Sequence, residues 1–222
     1  MKNPKAKTKG KKQKPYKITR DKYLDRDQRD KLMATCKAES ERDTWGGRKT
    51  WVTRYMVIHL SLYSGLRVSE IAHLTIKDLH LYNIKDPYIF VKNGKGGRNR
   101  DVFIDRELVN HLKDYLDIKK KAWNESIEPA SPLFVGHGGE PISAQALAHT
   151  FKQALKKAEL PDHYSIHSAR HTFATYLLHT SQNLRYVQQR LGHSSLNMTS
   201  LYADVLPELN GSLANSILEE KD

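Results

Sequence analysis

The sequence predicts a mainly α-helical fold with one small antiparallel β-sheet. Several long segments repeat apolar residues at helical spacing, most strongly over residues 52–64. β-Branched and aromatic residues crowd into two short runs, 88–91 and 101–104, separated by a glycine-rich stretch. Strands and helices do not alternate along the chain, which argues against a doubly wound or Rossmann fold.

Residues 1–17 form a lysine-rich arm with Pro4, Gly10 and Pro15. Like charges repel there and nothing apolar is available to bury, so the arm is expected to be disordered in isolation. Residues 18–222 are expected to form one domain. Its first helix spans 25–39, followed by a loop over 41–50 that contains Gly46 and Gly47. The helix over 52–64 closes at Gly65, and a short helix over 69–74 continues toward 78–79. The runs 88–91 and 101–104 make a hairpin whose tip reads Asn93-Gly94-Lys95-Gly96-Gly97-Arg98-Asn99. Further helices are expected over 106–123, 144–158, 167–180, 184–191 and 197–202, with Ser143 as an N-cap and Pro129, Pro132, Pro141 and Pro161 in the connections. Leu213, Ile217 and Leu218 give a short apolar face near the C-terminus, expected to dock on a neighbouring protomer.

Of 222 residues, 38% are hydrophobic, enough for a packed core. Lysine and arginine total 37 and acids 25, so the formal charge is 37 − 25 = +12. That excess favours a polyanionic partner, either a nucleic acid or an anionic membrane surface. Nine of the cations lie in residues 1–20, so if the body binds DNA it must do so through a local patch. Cys36 is the sole cysteine, which precludes an intramolecular disulfide and reads as a small buried hydrophobe. No apolar run reaches the length of a membrane span or a signal core, so a cytoplasmic protein is expected.

Three segments carry candidate chemistry. In Ser64-Gly65-Leu66-Arg67-Val68-Ser69-Glu70, Arg67 follows a glycine break and begins a helix, a setting that suits phosphate. A structural pair between Arg67 and Glu70 fits the same spacing. In the segment from Tyr164 to Thr175, His167 and Arg170 share a helical face. His167 and His171 have a spacing that zinc can use, but no glutamate follows the first histidine and no third ligand is evident. His171 reads more simply as a buried histidine with a satisfied hydrogen bond. The third segment is Leu191-Gly192-His193, with Tyr202 nine residues beyond the histidine. Spacing alone does not separate Tyr202 from the other tyrosines.

Read in order, SGLRVSEIAHL, GKGGRNRDVFI, HSARHTFATYLL and LGHSSLNMTSLYADV resemble the tyrosine recombinases of the phage-integrase family, most closely the bacterial Xer-type branch. The resemblance runs from about residue 25 to the C-terminus. It implies a tyrosine recombinase catalytic-domain fold and DNA strand transfer through a 3′-phosphotyrosine, without metal or ATP. The double-stranded DNA partner would carry inverted-repeat sites and be bound by a homo- or hetero-tetramer. The catalytic set it implies is Arg67, Lys95, His167, Arg170, His193 and the nucleophile Tyr202, with Glu70 in support. Lys92 rivals Lys95 as the proton donor. Lys92, Arg98, Arg100 and His171 are expected to contact DNA. In two respects the sequence departs from the family: no separate N-terminal clamp domain is expected, and Ala169 replaces the usual leucine between His167 and Arg170. The competing expectation is an accessory protein on the same fold that binds DNA and activates another recombinase.

Overall fold

The computed structural model describes residues 18–82, 85–92, 99–192 and 197–202. The basic arm, the hairpin tip with Lys95 and Arg98, His193, and the C-terminal face of Leu213, Ile217 and Leu218 lie outside them. Eight helices and three strands are present among the described residues, in the order α1 (Arg26–Trp45), α2 (Thr50–Ser64), α3 (Val68–Ala72), β1 (Leu79–His80), β2 (Tyr88–Val91), β3 (Arg100–Phe103), α4 (Arg106–Lys121), α5 (Ala144–Lys157), α6 (Ile166–Ser181), α7 (Leu184–Leu191) and α8 (Asn197–Ser200). The mainly helical architecture with one small antiparallel sheet is thus the one the sequence predicts.

α1 starts in a reciprocal cap. Asp25 accepts from the Gln28 backbone N–H at 2.7 Å, and the Gln28 side chain accepts from the Asp25 N–H at 3.0 Å. The helix runs six residues past the expected end and removes half of the expected 41–50 loop. Its inward face continues through Leu32, Cys36, Ser40 and Asp43, all buried. The last two are polar, so apolar periodicity fades while the helix persists. Asp43 earns its burial by accepting from the Trp51 backbone N–H and from Arg48 Nε, both at 2.8 Å, which fastens α1 to the start of α2.

α2 is the central element, packed by α1, α4, α5 and α6. Met56, Val57, Ile58, Leu60 and Leu62 are all buried, so the helix is apolar around most of its circumference. It ends at Gly65 with φ +66°, a left-handed residue against which the Phe173 ring packs so closely that a Cβ would collide with it.

The short helix after Gly65 stops at Ala72 instead of continuing to 78–79. Asp78 accepts from the Thr75 N–H at 2.9 Å and its hydroxyl at 2.6 Å, which starts a separate 3-10 turn over Ile76–Asp78 and feeds β1. The sheet order is β1-β2-β3, antiparallel throughout, with Leu79 opposite Ile89 and Ile89 opposite Val102. Ile89 and Val102 are fully buried, whereas Asp101 faces outward. β3 begins one residue earlier than predicted, so Arg100 belongs to the ladder, opposite Val91.

Side-chain caps also start α4 (Asp105), α5 (Ser143) and α7 (Asn183). A second, smaller core joins Ile18 and Tyr23 to Ala174, Leu178, Val187, Leu191 and Tyr202. Among the described residues no helix is long and apolar enough to cross a membrane.

Candidate active site

Two glycine-terminated helices aim their carbonyl ends at one arginine. Arg170, on α6, is 8% exposed. Its Nη1 donates to the Gly65 carbonyl after α2, and its Nη2 to the Leu191 carbonyl at the end of α7, at 2.8 Å. Helix C-termini carry partial negative charge, so both contacts favour the cation. Burial and the nearby Arg67 guanidinium lower the Arg170 pKa to about 10, which leaves it protonated at neutral pH. Ala169, beneath it, is fully buried.

Arg67 sits at the first turn of α3, immediately after the Gly65–Leu66 corner. Its Nη1 donates to Glu70 Oε1 at 2.8 Å and its Nη2 reaches the Gly192 carbonyl at 3.5 Å. Glu70 also accepts from the Arg67 backbone N–H at 2.8 Å and from both terminal nitrogens of Arg100 at 2.9 Å. Burial would raise the Glu70 carboxyl, but hydrogen bonds from Arg100 and the charge of both guanidiniums outweigh it and hold the group down to about 2. Arg100 also lies against Gly192, where a Cβ would meet its side chain at 2.7 Å. The sheet, the first turn of α3 and the end of α7 thus share one charged junction.

Tyr202, two residues past α8, is 3% exposed, with its backbone N–H donating to the Thr199 carbonyl at 3.0 Å. Its hydroxyl lies 2.8 Å from His171 Nδ1. Burial lowers the His171 pKa to about 4, and the charges of Arg170 and Lys22 add to the effect, so the ring is neutral at pH 7. His167 is exposed and lines a cleft with Lys22, His163 and His171. Lys92 donates to Asp78 at 2.9 Å.

Arg67, Glu70, Arg100, Arg170, His171 and Tyr202 therefore come together around the ends of α2, α6 and α7, with His167 on the open side. Lys92 stands just past the end of β2, the central strand of the sheet. Two contacts were not visible in the sequence. Arg100, expected on DNA, grips Glu70 with both terminal nitrogens, because the strand starts at 100 and carries the side chain out of the loop. His171 is half-buried rather than buried, and its hydrogen-bond partner is Tyr202, 31 residues away. No single-sequence pattern signals that pairing. Among the described residues no group of three or more His, Cys, Asp or Glu side chains could hold a metal ion.

The fold and this cluster of arginines, histidines and a tyrosine define the class. The chain belongs to the phage integrase family, whose family model matches residues 22–208. It is 33% identical over 159 residues to the tyrosine recombinase XerC of Lactobacillus leichmannii, covering 72% of this chain and 52% of the relative. The Bacillus subtilis XerC is 34% identical over 154 residues, covering 69% and 49%. The crystal structure of XerA recombinase superposes with a TM-score of 0.69 at 26% identity, over 90% of this chain and 66% of that one. XerH recombinase bound to a palindromic difH substrate, a post-cleavage complex, gives 0.67 at 25% identity over 89% and 53%. The chain spans about half the length of the curated relatives it matches.

Proposed function

We propose that this chain is the catalytic part of a site-specific DNA recombinase that cleaves and rejoins strands through a 3′-phosphotyrosine on Tyr202. One observation carries the proposal most: the Tyr202 hydroxyl is held by the residue next to Arg170, beside the junction that fixes Arg67. Phosphoryl transfer needs a nucleophile, charge neutralisation on the non-bridging oxygens, and a proton for the leaving alkoxide. Tyr202 supplies the first. Arg67 and Arg170 supply the second, since a guanidinium keeps its proton and donates as a planar fork. His167 and His193 add donors to the same oxygens. Lys95, at the hairpin tip, protonates the leaving 5′-oxygen, with Lys92 as the rival.

Glu70 and Arg100 hold Arg67 in place. Arg98 and the basic arm contribute phosphate contacts that raise affinity without reading sequence. The DNA partner carries inverted repeats and is bound by a tetramer. The tyrosine conserves the energy of the cleaved bond, so religation needs no nucleotide. Incubation with an inverted-repeat duplex pool tests the reading: a covalent protein–DNA complex that survives denaturant supports it, and absence of any such complex across the pool contradicts it.

A further inference from the structure

We infer that His171 is a further catalytic residue: it holds the Tyr202 phenol and takes its proton as the phenolic oxygen attacks phosphorus. The inference rests on the proposal that Tyr202 is the nucleophile. Nδ1 lies 2.8 Å from the hydroxyl, within direct proton-transfer distance. The ring is fixed on α6 immediately after Arg170, so the arginine that would clamp the phosphate and the imidazole that would receive the proton share one rigid turn. With its own proton on Nε2, the neutral ring presents the Nδ1 lone pair to the phenol.

The surroundings make this base depend on substrate. Arg170 and His167 lie on the same helix, Lys22 and Asp21 lie on the turn before α1, and His163 precedes α6. Burial and the charges of Arg170 and Lys22 disfavour imidazolium, so without DNA the ring is a poor proton acceptor. A phosphate bound by Arg67 and Arg170 brings negative charge to the same place and restores basicity to the ring. In the step itself the Oη–H bond breaks, an Nδ1–H bond forms, Oη bonds to phosphorus, and the 5′-oxygen leaves with a proton from a separate donor. Religation runs the reverse path: a 5′-hydroxyl attacks phosphorus and gives its proton back to that separate donor, while imidazolium returns its proton to the departing phenolate.

The test uses the full chain and duplexes selected by covalent capture on the wild-type protein from a randomised inverted-repeat pool. The readout is the single-turnover rate of adduct formation as a function of pH. His171→Asn places a carboxamide oxygen where Nδ1 stands, so it can hold the phenol but cannot take a proton. The expected result is a rate about a hundredfold or more below wild type, with the rise of rate at low pH lost and DNA affinity retained. A variant with the wild-type rate and profile overturns the inference and reduces His171 to a support for the ring.

Tyr202→Phe runs in parallel. Adduct formation by that variant contradicts the nucleophile proposal itself. Its absence, together with a normal His171→Asn, contradicts only the inference. Should His171→Asn fail to fold, fluorotyrosine at position 202 in the otherwise wild-type chain decides. A break in the pH profile that stays in place reports the imidazole and supports the inference. A break that moves down with the more acidic phenol overturns it.

Discussion

Glu70→Gln is the sharpest test of the charged junction. The carboxylate is 7% exposed at its side chain and takes three guanidinium bonds and one backbone bond. An amide keeps one acceptor oxygen and turns an N–H₂ toward a donor, while two partly buried cations lose their anion. Breaking a buried pair from one side costs on the order of 3–5 kcal/mol. The depression of the carboxyl from 4.5 to about 2 gives a similar figure, about 3 kcal/mol. We expect Glu70→Gln to lower stability by about 3 kcal/mol in urea unfolding, with the m-value unchanged. Arg100→Met should cost less, on the order of 1–2 kcal/mol, because Arg67 still neutralises Glu70. The double variant should fall short of the sum by about 2 kcal/mol.

The pH dependence has a defined sign. The folded carboxyl lies below its unfolded value, so its contribution is complete above about 4.5 and is lost as pH falls toward 2. Glu70→Gln should lack that limb. Single and double effects that add to within about 0.5 kcal/mol would refute the coupling.

Gly65→Ala should destabilise the fold by roughly 2–4 kcal/mol, from the left-handed backbone and the collision with Phe173, and should reduce cleavage with it, because the Gly65 carbonyl holds Arg170; calorimetry and adduct formation measure the two effects. His59 and His111, whose Nδ1 atoms lie 2.8 Å apart, are lowered by burial to about 4 and about 3. Their stabilising contribution is complete above about 6.5 and is lost as pH falls toward 4, so unfolding followed between pH 7 and 4 should steepen, and phenylalanine at both positions should flatten it. Lys95→Ala should be slow on ordinary DNA and rescued by sulfur at the scissile 5′-bridging position, because a thiolate leaves without a proton. Rescue of Lys92→Ala instead would move the general acid to Lys92.

Much of the fold was legible because its signals are local. Gly65 marks a helix end, Ser143 caps α5, and two β-rich runs around a glycine-rich stretch mark the hairpin. Features set by tertiary partners were not. The end of α1 is held by Asp43, whose partners on Arg48 and Trp51 belong to the next element. β1 is two residues long, too short for a period to register. Motif order brought out Arg67, Arg170 and Tyr202 because each sits in a recognisable string. The grip of Arg100 on Glu70 joins β3 to a residue of α3 far away in the chain, a tertiary partner that no local pattern names. The His171–Tyr202 contact depended on how the segment after α7 returns to α6, which no local pattern encodes.

The central claim is that Tyr202 is the nucleophile, and its most direct measurement is covalent capture of labelled duplex by wild type and by Tyr202→Phe, resolved under denaturing conditions. Wild type should yield a denaturant-resistant complex that protease reduces to a DNA-linked peptide containing residue 202. The phenylalanine variant, which lacks one hydroxyl, should bind the same duplex with nearly unchanged affinity and yield no complex. A covalent complex from Tyr202→Phe, or a wild-type peptide linked through another residue, would contradict the account.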